Sequence, residues 1–513
     1  MNGNILLNSA LPSLSDADGL SINGGTSKIT VKGNSVYGIF DIPAGVAVTL
    51  QNLTIANGRG NGGIIHNAGT LNLQASTLTG GMGTLGGALY NTTGMVNITN
   101  STFTLNSADF GAAIFNDTGT VIITNSTFND NTITGGGTGV IYNNGFMTLR
   151  NTIVTDGNGG SLCAGNAFNF ASTNNLSEVD ASCVGGFTVV ALGQLALGPL
   201  ASNGGSTETF ALLPDSVAIN AGNNSACPAT DQRGIGRPQG ALCDVGSFEA
   251  KISLSVSPTS LVFTGTVAGT PSLPKTVTVT NSGEANLMIG LISITGEFAI
   301  VNDLCSSAVV APTNNCTFDV TFTPLTTGSK SGVITLPSNI LASPTTIAVS
   351  GSGVNGTNMI LNPGFEYPYK QPIGWKNPGA PYTLNSVVDK FVGYNSCCSL
   401  RLPGKSRLYY IYQGVSSAGK AGNRFMIGLS SMADNITLVG PSDVYMGQVI
   451  FQDTKNRPTE TFTFLFTPGT HGWERQQYTI VTTMNYYNFV FKISVRSPTG
   501  VAWFDNAMVM RLP

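Results

Sequence analysis

At 513 residues the chain is long enough for several domains, yet only 10% of it is charged, against roughly 25% in an ordinary soluble protein. A formal net charge of −3, with 23 Lys and Arg scattered singly, excludes the basic stripe that nucleic acid requires, and no apolar run is long enough to span a membrane. The 64 glycines and the scarcity of Lys and Glu leave little material for amphipathic helices, so an all-β chain is expected.

The first stretches, "LNSALPSLSDADGLSINGG" and "VAVTLQNLTIANG", alternate weakly between apolar and polar residues. Met1 is not followed by a basic-then-apolar leader, so secretion would imply a signal already removed. A repeat of about twenty-five residues follows: "GGIIHNAGTLNLQASTLTG" from Gly62, "GGALYNTTGMVNITNSTFTLN" from Gly86, "GAAIFNDTGTVIITNSTFNDN" from Gly111 and a looser copy from Gly139. Each copy reads as a short apolar strand ending in an aromatic residue or His and then Asn. After a glycine turn comes an alternating strand (Leu71/Leu73, Val96/Ile98, Val121/Ile123), and then a corner at Thr77-Leu78, Thr102-Phe103 or Thr127-Phe128. A unit this short cannot bury its own apolar face, so copies must stack into a β-solenoid. Asn67, Asn91 and Asn116 recur at one place and predict a ladder of side-chain amides. His66 stands where Tyr90 and Phe115 stand in the next copies and reads as part of an aromatic column.

The solenoid is expected over residues 1–190. Residues 191–250 have dense turn signals and read as a cap over the last coil. From about residue 251 short strands alternate with Pro, Gly and Asn turns, the rhythm of a small β-sandwich over 251–354. "GSGVNGTN" has the composition of a linker. Over 359–513 the strands lengthen and tyrosines and phenylalanines cluster, which predicts a larger sandwich or jelly roll.

Six of the eight cysteines fall into local pairs: Cys163 with Cys183, Cys227 with Cys243, and Cys305 with Cys316. The chain holds only two histidines, so metal-site spacing is absent and three disulfides in an oxidising compartment are expected. Each would contribute about 3 kcal/mol by closing its loop. Adjacent Cys397 and Cys398 would form a strained bridge, which leaves open one buried and one exposed thiol, or a link to another chain.

Three families resemble these segments. "LLPDSVAINAG", "DQRGIGRP" and "CDVGSFE" are similar to the choice-of-anchor Q domain proteins, which implies a right-handed parallel β-helix related in fold to pectate lyases. "LVFTGTVAG", "VTVTNSGEANL" and "CTFDVTFTPLTTGSKSG" resemble a choice-of-anchor D or abnormal-spindle-type immunoglobulin-like domain, including that family's disulfide. "NPGFE", Trp375 and "WFDNAMV" resemble jelly-roll carbohydrate-binding modules.

The last resemblance implies a structural calcium held by Glu366 and Asp505, with Asn506 replacing the commoner second Asp of the phrase. Trp375, Trp473 and Trp503 fall at positions that resemble the family's core. Sugar rings stack on exposed aromatic faces, and Tyr410, Tyr412, Tyr445, Tyr486 and Tyr487 are the candidates. In "RLYYIYQGV" strand alternation places Tyr410 and Tyr412 on one face and Tyr409 and Ile411 on the other.

A pectate lyase-like fold also raises catalysis. Hydrolysis or elimination needs converging carboxylates or an Asp and Arg set. The candidates Asp109, Asp117, Asp130, Asp156 and Arg150 fall at different places in the repeat, and no catalytic residue is expected. The densest charge cluster, Asp231, Arg233, Arg237 and Asp244, reads as structural: guanidinium forks can fix a segment that lacks regular strands.

The sequence therefore predicts a non-catalytic, secreted, extracellular bacterial surface protein, either an adhesin or a subunit of a layer, sheath or filament. Its C-terminal domain would bind glycan, and the alternative is a secreted polysaccharide lyase or glycoside hydrolase with an appended binding module. The expected partners are glycan, neighbouring surface subunits or further copies of the chain. Self-association is expected through the solenoid start, where unpaired strand groups would seek a partner.

Overall fold

The structure is a computed structural model, and it describes residues 3–16, 18–155, 161–361, 363–365, 375–376, 388–389, 393, 398–404 and 407–512. Nearly all regular structure is β. The N-terminal region is a parallel β-solenoid of about seven turns. Its strands stack in register every twenty-five residues, so that Leu71 pairs with Val96 and Val96 with Val121. Their side chains point inward with Leu73, Ile98 and Ile123 and are fully buried, forming one continuous core along the axis. A second face stacks Ile65–Asn67, Leu89–Asn91, Ile114–Asn116 and Ile141–Asn143.

The Thr-apolar pairs read as corners are strands. Thr77–Thr79, Thr102–Thr104 and Thr127–Asn129 belong to a nine-stranded parallel sheet. The corner lies two residues earlier, where Asn100 and Asn125 take left-handed φ angles of 48° and 45°. Asn reaches that conformation more readily than most residues. A three-stranded fourth sheet, of Met82–Leu85, Ser107–Phe110 and Thr132–Thr138, completes the coil.

The asparagine ladder is continuous. Asn67 Nδ2 donates to Asn91 Oδ1 at 2.7 Å, Asn91 to Asn116 at 2.8 Å, and Asn116 to Asn143 at 2.8 Å. All four are fully buried. A second ladder joins the backbone N–H of Ser76 to the hydroxyl of Ser101, and that of Ser101 to Ser126.

Residues 191–250 pack on the last coils through Leu195 and Ala218 and also reach far beyond them. They run back along the flank of the nine-stranded sheet as a strap, tied on coil after coil. Thr77 Oγ1 donates to Glu208 O, Asn100 Nδ2 to Thr230 O, Asn125 Nδ2 to Asp244 O and Asn151 Nδ2 to Asn223 O. The reason is chemical: the threonines and asparagines on this flank carry hydrogen-bonding groups that need partners once buried. The last solenoid strand, Phe187–Val190, pairs on one side only.

The next domain is a sandwich of two four-stranded sheets around Phe263, Phe298, Phe318 and Phe322. Its core is continuous with the strap through Phe248, Ala250 and Ile252. The stretch read as a linker is not a free tether. Gly351–Val354 finish the strand Thr345–Val354, and Asn358 binds Ala507 O through its amide while accepting from Ile360 N and Val509 N. The C-terminal domain is a second sandwich of a five-stranded and a four-stranded sheet, filled by Phe425, Phe451, Phe464, Phe489, Phe491 and Phe504.

All three expected disulfides are present: Cys163–Cys183, Cys227–Cys243 and Cys305–Cys316. Cys398 is buried and disulfide-bonded, and Cys397 lies outside the described residues. Among the described residues no helix is long and apolar enough to cross a membrane.

Candidate functional site

The four-stranded sheet of the C-terminal domain is built from Tyr409–Val415, Asn488–Arg496, Val444–Gln452 and Pro458–Leu465. In "NFVFKISVR" the phenylalanines, Ile493 and Val495 alternate inward and are fully buried, so Lys492 must face out. Register then assembles a row across the sheet. Tyr412 pairs with Lys492, Lys492 with Gln448, and Gln448 with Thr463. Tyr410 stands one position along the same outer face. Its ring lies 6.5 Å from that of Tyr412 at an interplanar angle of 29°, with Lys492 Nζ 4.5 Å over its centroid. Ile411 and Gln413 point the other way and are buried.

The five tyrosines therefore separate. Tyr410 and Tyr412 are half-buried on the outer face. Tyr487 is 56% exposed in the turn before Asn488. Tyr445, at 2% exposure, and Tyr486, at 5%, are core residues and offer no face to a sugar. Tyr445 alternates inward and bonds Ser431 Oγ through its hydroxyl, and its packing raises the phenol's pKa by burial. Tyr486 packs on Phe451 at 4.8 Å and donates to Asn423 Oδ1 at 3.2 Å.

Of the tryptophans, Trp375 is buried as expected, while Trp473 and Trp503 are only half-buried. Trp503 faces outward on the five-stranded sheet, with Arg401 5.9 Å from its ring. The outward row on the four-stranded sheet was legible only in part. Lys492 is a charge set in the middle of an alternating apolar strand, which is a usable signal, whereas Gln448 and Thr463 join it only through strand pairing.

Glu366 lies outside the described residues. Asp505 is almost fully buried and accepts from Asn506 N at 2.6 Å. Leu400 pairs with Phe504, and that register sets Ser399 beside Asp505 on one side, while Ser430 pairs with it on the other. The buried Ser399 hydroxyl has no hydrogen-bond partner among the described residues. A carboxylate beside an unmatched hydroxyl is oxygen chemistry suited to calcium. Among the described residues no three His, Cys, Asp or Glu converge as a metal centre.

On the solenoid the carboxylates stay apart. Asp109 is in the fourth sheet and accepts from Thr134 Oγ1. Asp117 lies in the turn after Ile114–Asn116. Asp130 follows the strand Thr127–Asn129, where burial raises its carboxyl pKa. Arg150 ends a strand of another face and reaches Ala171 O, and Asp156 lies outside the described residues. His66 takes its place in the column, 5.5 Å from Tyr90, which is 5.5 Å from Phe115, itself stacked on Tyr142 at 4.9 Å. Its Nδ1 lies 2.7 Å from Asp41. The Asp41 carboxyl is held below its usual pKa by hydrogen bonds from Ser13 and then His66.

The strap's charges form one buried network. Arg233 bonds Asp231 at 2.8 Å, donates to Glu249 O and Asn203 O, and lies 3.5 Å over the Phe248 ring. Arg237 bonds Glu249 at 2.7 Å, with both side chains wholly excluded from solvent, and donates to Asp244 O and Gly246 O. Glu249 and Glu284, absent from the cluster seen in sequence, complete it, with Glu284 reaching Arg233 from the next domain at 3.2 Å.

No protein-family model matches the chain, and no curated protein matches its sequence. Among solved structures, a family 16 carbohydrate-binding module is 17% identical, and the match covers 30% of this chain and 99% of that one at a TM-score of 0.23. The xylan-binding domain CBM22-1 of Paenibacillus barcinonensis Xyn10C is 14% identical, over 31% and 95%, at 0.21. A PapD-like domain of human CEP192 is 13% identical, over 20% and 87%, at 0.18. At these scores the fold assignment rests on strand order and register alone.

Proposed function

We propose that this is a secreted, non-catalytic bacterial surface protein, an adhesin or a subunit of a surface layer, sheath or filament, whose C-terminal jelly roll binds glycan. The supporting observation is the Tyr410–Tyr412 pair, which faces outward from a sheet whose opposite face is packed with phenylalanine. Flat apolar rings beside the polar termini of Lys492, Gln448 and Thr463 match the two surfaces of a pyranose, its apolar face and its hydroxyl rim. Three disulfides fit an oxidising compartment.

In a glycan array probed with the full chain, binding is expected, and replacing Tyr410 and Tyr412 together with alanine should abolish it. A blank array would overturn the reading. Calcium is proposed at Asp505 with Glu366 as its second carboxylate. Chelation should then lower the melting temperature of the C-terminal domain, and an unchanged value would remove the metal from the proposal.

A further inference from the structure

The row through Tyr412 extends one residue further than the four-stranded sheet. Lys376 forms an antiparallel bridge with Tyr412: Lys376 N donates to Tyr412 O at 2.8 Å, and Tyr412 N to Lys376 O at 3.0 Å. Directly opposed residues share a face. Trp375 is buried beneath the sheet, and Lys376 is exposed on the side of Tyr412. The row therefore reads Lys376, Tyr412, Lys492, Gln448, Thr463, with a lysine on each side of the aromatic ring.

Neither lysine has an ion-pair partner among the described residues. None of the outward positions of the four strands is Asp or Glu. Arg496, at the rim, faces Asp443 at 3.9 Å, so among the described residues the positive charge without an ion-pair partner is centred on Tyr412. The two lysine backbones are two strand spacings apart, roughly 10 Å. On a chain of net charge −3, two cations with no ion-pair partner among the described residues flank a half-buried ring and form a local reversal of sign.

We propose that this face selects acidic polysaccharide, specifically a glycan of uronate residues; the inference rests on the reading of the C-terminal domain as a glycan binder. A uronate carries its carboxylate one bond from the ring. A sugar stacked on Tyr412 therefore presents that charge sideways, toward a lysine in the same cross-strand row. Hydroxyls further along the chain meet Gln448 and Thr463. Neutral glycans would offer the lysines hydroxyls but no opposite charge, and the protein's overall negative charge works against indiscriminate attraction of polyanions.

The test is isothermal titration of the full chain against polygalacturonate, with neutral galactan and a sulfated galactan as comparisons. Polygalacturonate should bind most tightly and weaken as salt is raised. Lys492→Gln and Lys376→Gln should each weaken it roughly tenfold, the value of one charge-assisted hydrogen bond. Both changes should leave the melting temperature unaltered, and each should weaken polygalacturonate binding by a larger factor than that of any neutral glycan. Equal affinity for the neutral polymer, a preference for the sulfated one, or indifference to both lysine changes would overturn the uronate assignment while leaving glycan binding intact. Failure to bind any of the three polymers, with a blank glycan array, would overturn both.

Discussion

Asn116 shows how much one side chain carries in a solenoid. Its amide donates to Asn143 Oδ1 and Gly119 O and its carbonyl accepts from Asn91, so it closes a turn and joins three coils. Asn116→Ala should destabilise the solenoid by about 1–3 kcal/mol, because buried partners on both sides lose a bond with no water to replace it. Urea melts of the single variant would check this, and a loss no larger than for a surface substitution would refute it. Asp244 makes a pH prediction. Burial first, and then the neighbouring Glu249, push its carboxyl up from 3.8 to about 7, although it accepts from Asn220 N and Ala250 N and has Arg237 nearby. The native state therefore holds a proton that the unfolded chain has released. This contribution to stability is complete below about pH 4 and is lost as pH rises through about 7. Asp244→Asn should flatten the fall in melting temperature over that window, and an unchanged pH profile would exclude Asp244 as its source.

At the scale of elements, the strap is held by side chains rather than by strand pairing. Gln232 is the clearest example: its Nε2 donates to Thr77 Oγ1 and Thr207 Oγ1, and its Oε1 accepts from Thr102 Oγ1. Ser247 N adds a bond to Thr127 Oγ1. The wholly buried Arg237–Glu249 pair fixes the strap's own shape. Removing one partner of such a pair strands the other charge and costs about 3–5 kcal/mol. Arg237→Met should therefore release the strap, and hydrogen exchange should rise at residues 200–250 before it rises in the solenoid core. Uniform protection across strap and coils in that variant would argue against it.

Across the whole molecule, the strap shares one apolar core with the immunoglobulin-like domain, and Arg233 and Glu284 bridge the two. Met426, Met508, Met510 and Leu512 of the C-terminal domain pack with Val267 of the immunoglobulin-like domain. These contacts pack each domain against the next. Non-reducing mass spectrometry of the native protein should recover Cys163–Cys183, Cys227–Cys243 and Cys305–Cys316 as linked peptides. Reduction should lower stability by about 3 kcal/mol for each loop opened, and free thiols at these six positions would undo the argument for an oxidising compartment.

The twenty-five-residue repeat by itself determined the parallel stack, its inward rows at Leu71, Val96 and Val121, and the ladder through Asn67, Asn91 and Asn116. When each coil pairs with a near-copy of itself, sequence spacing is spatial spacing. The local cysteine pairs were legible for the same reason, since their partners lie close along the chain. Three features had no such key. Thr77, Thr102 and Thr127 looked like corners because the residues that bury them, Gln232 and Ser247, come more than a hundred positions later. Alternation put Tyr410 and Tyr412 on one face but could not say that Tyr445 and Tyr486 face the core, since aromatic residues suit either side of a sheet. Lys376, Lys492 and Gln448 became neighbours of Tyr412 only through antiparallel pairing between distant strands, a register set by packing in three dimensions and written in no short stretch of sequence.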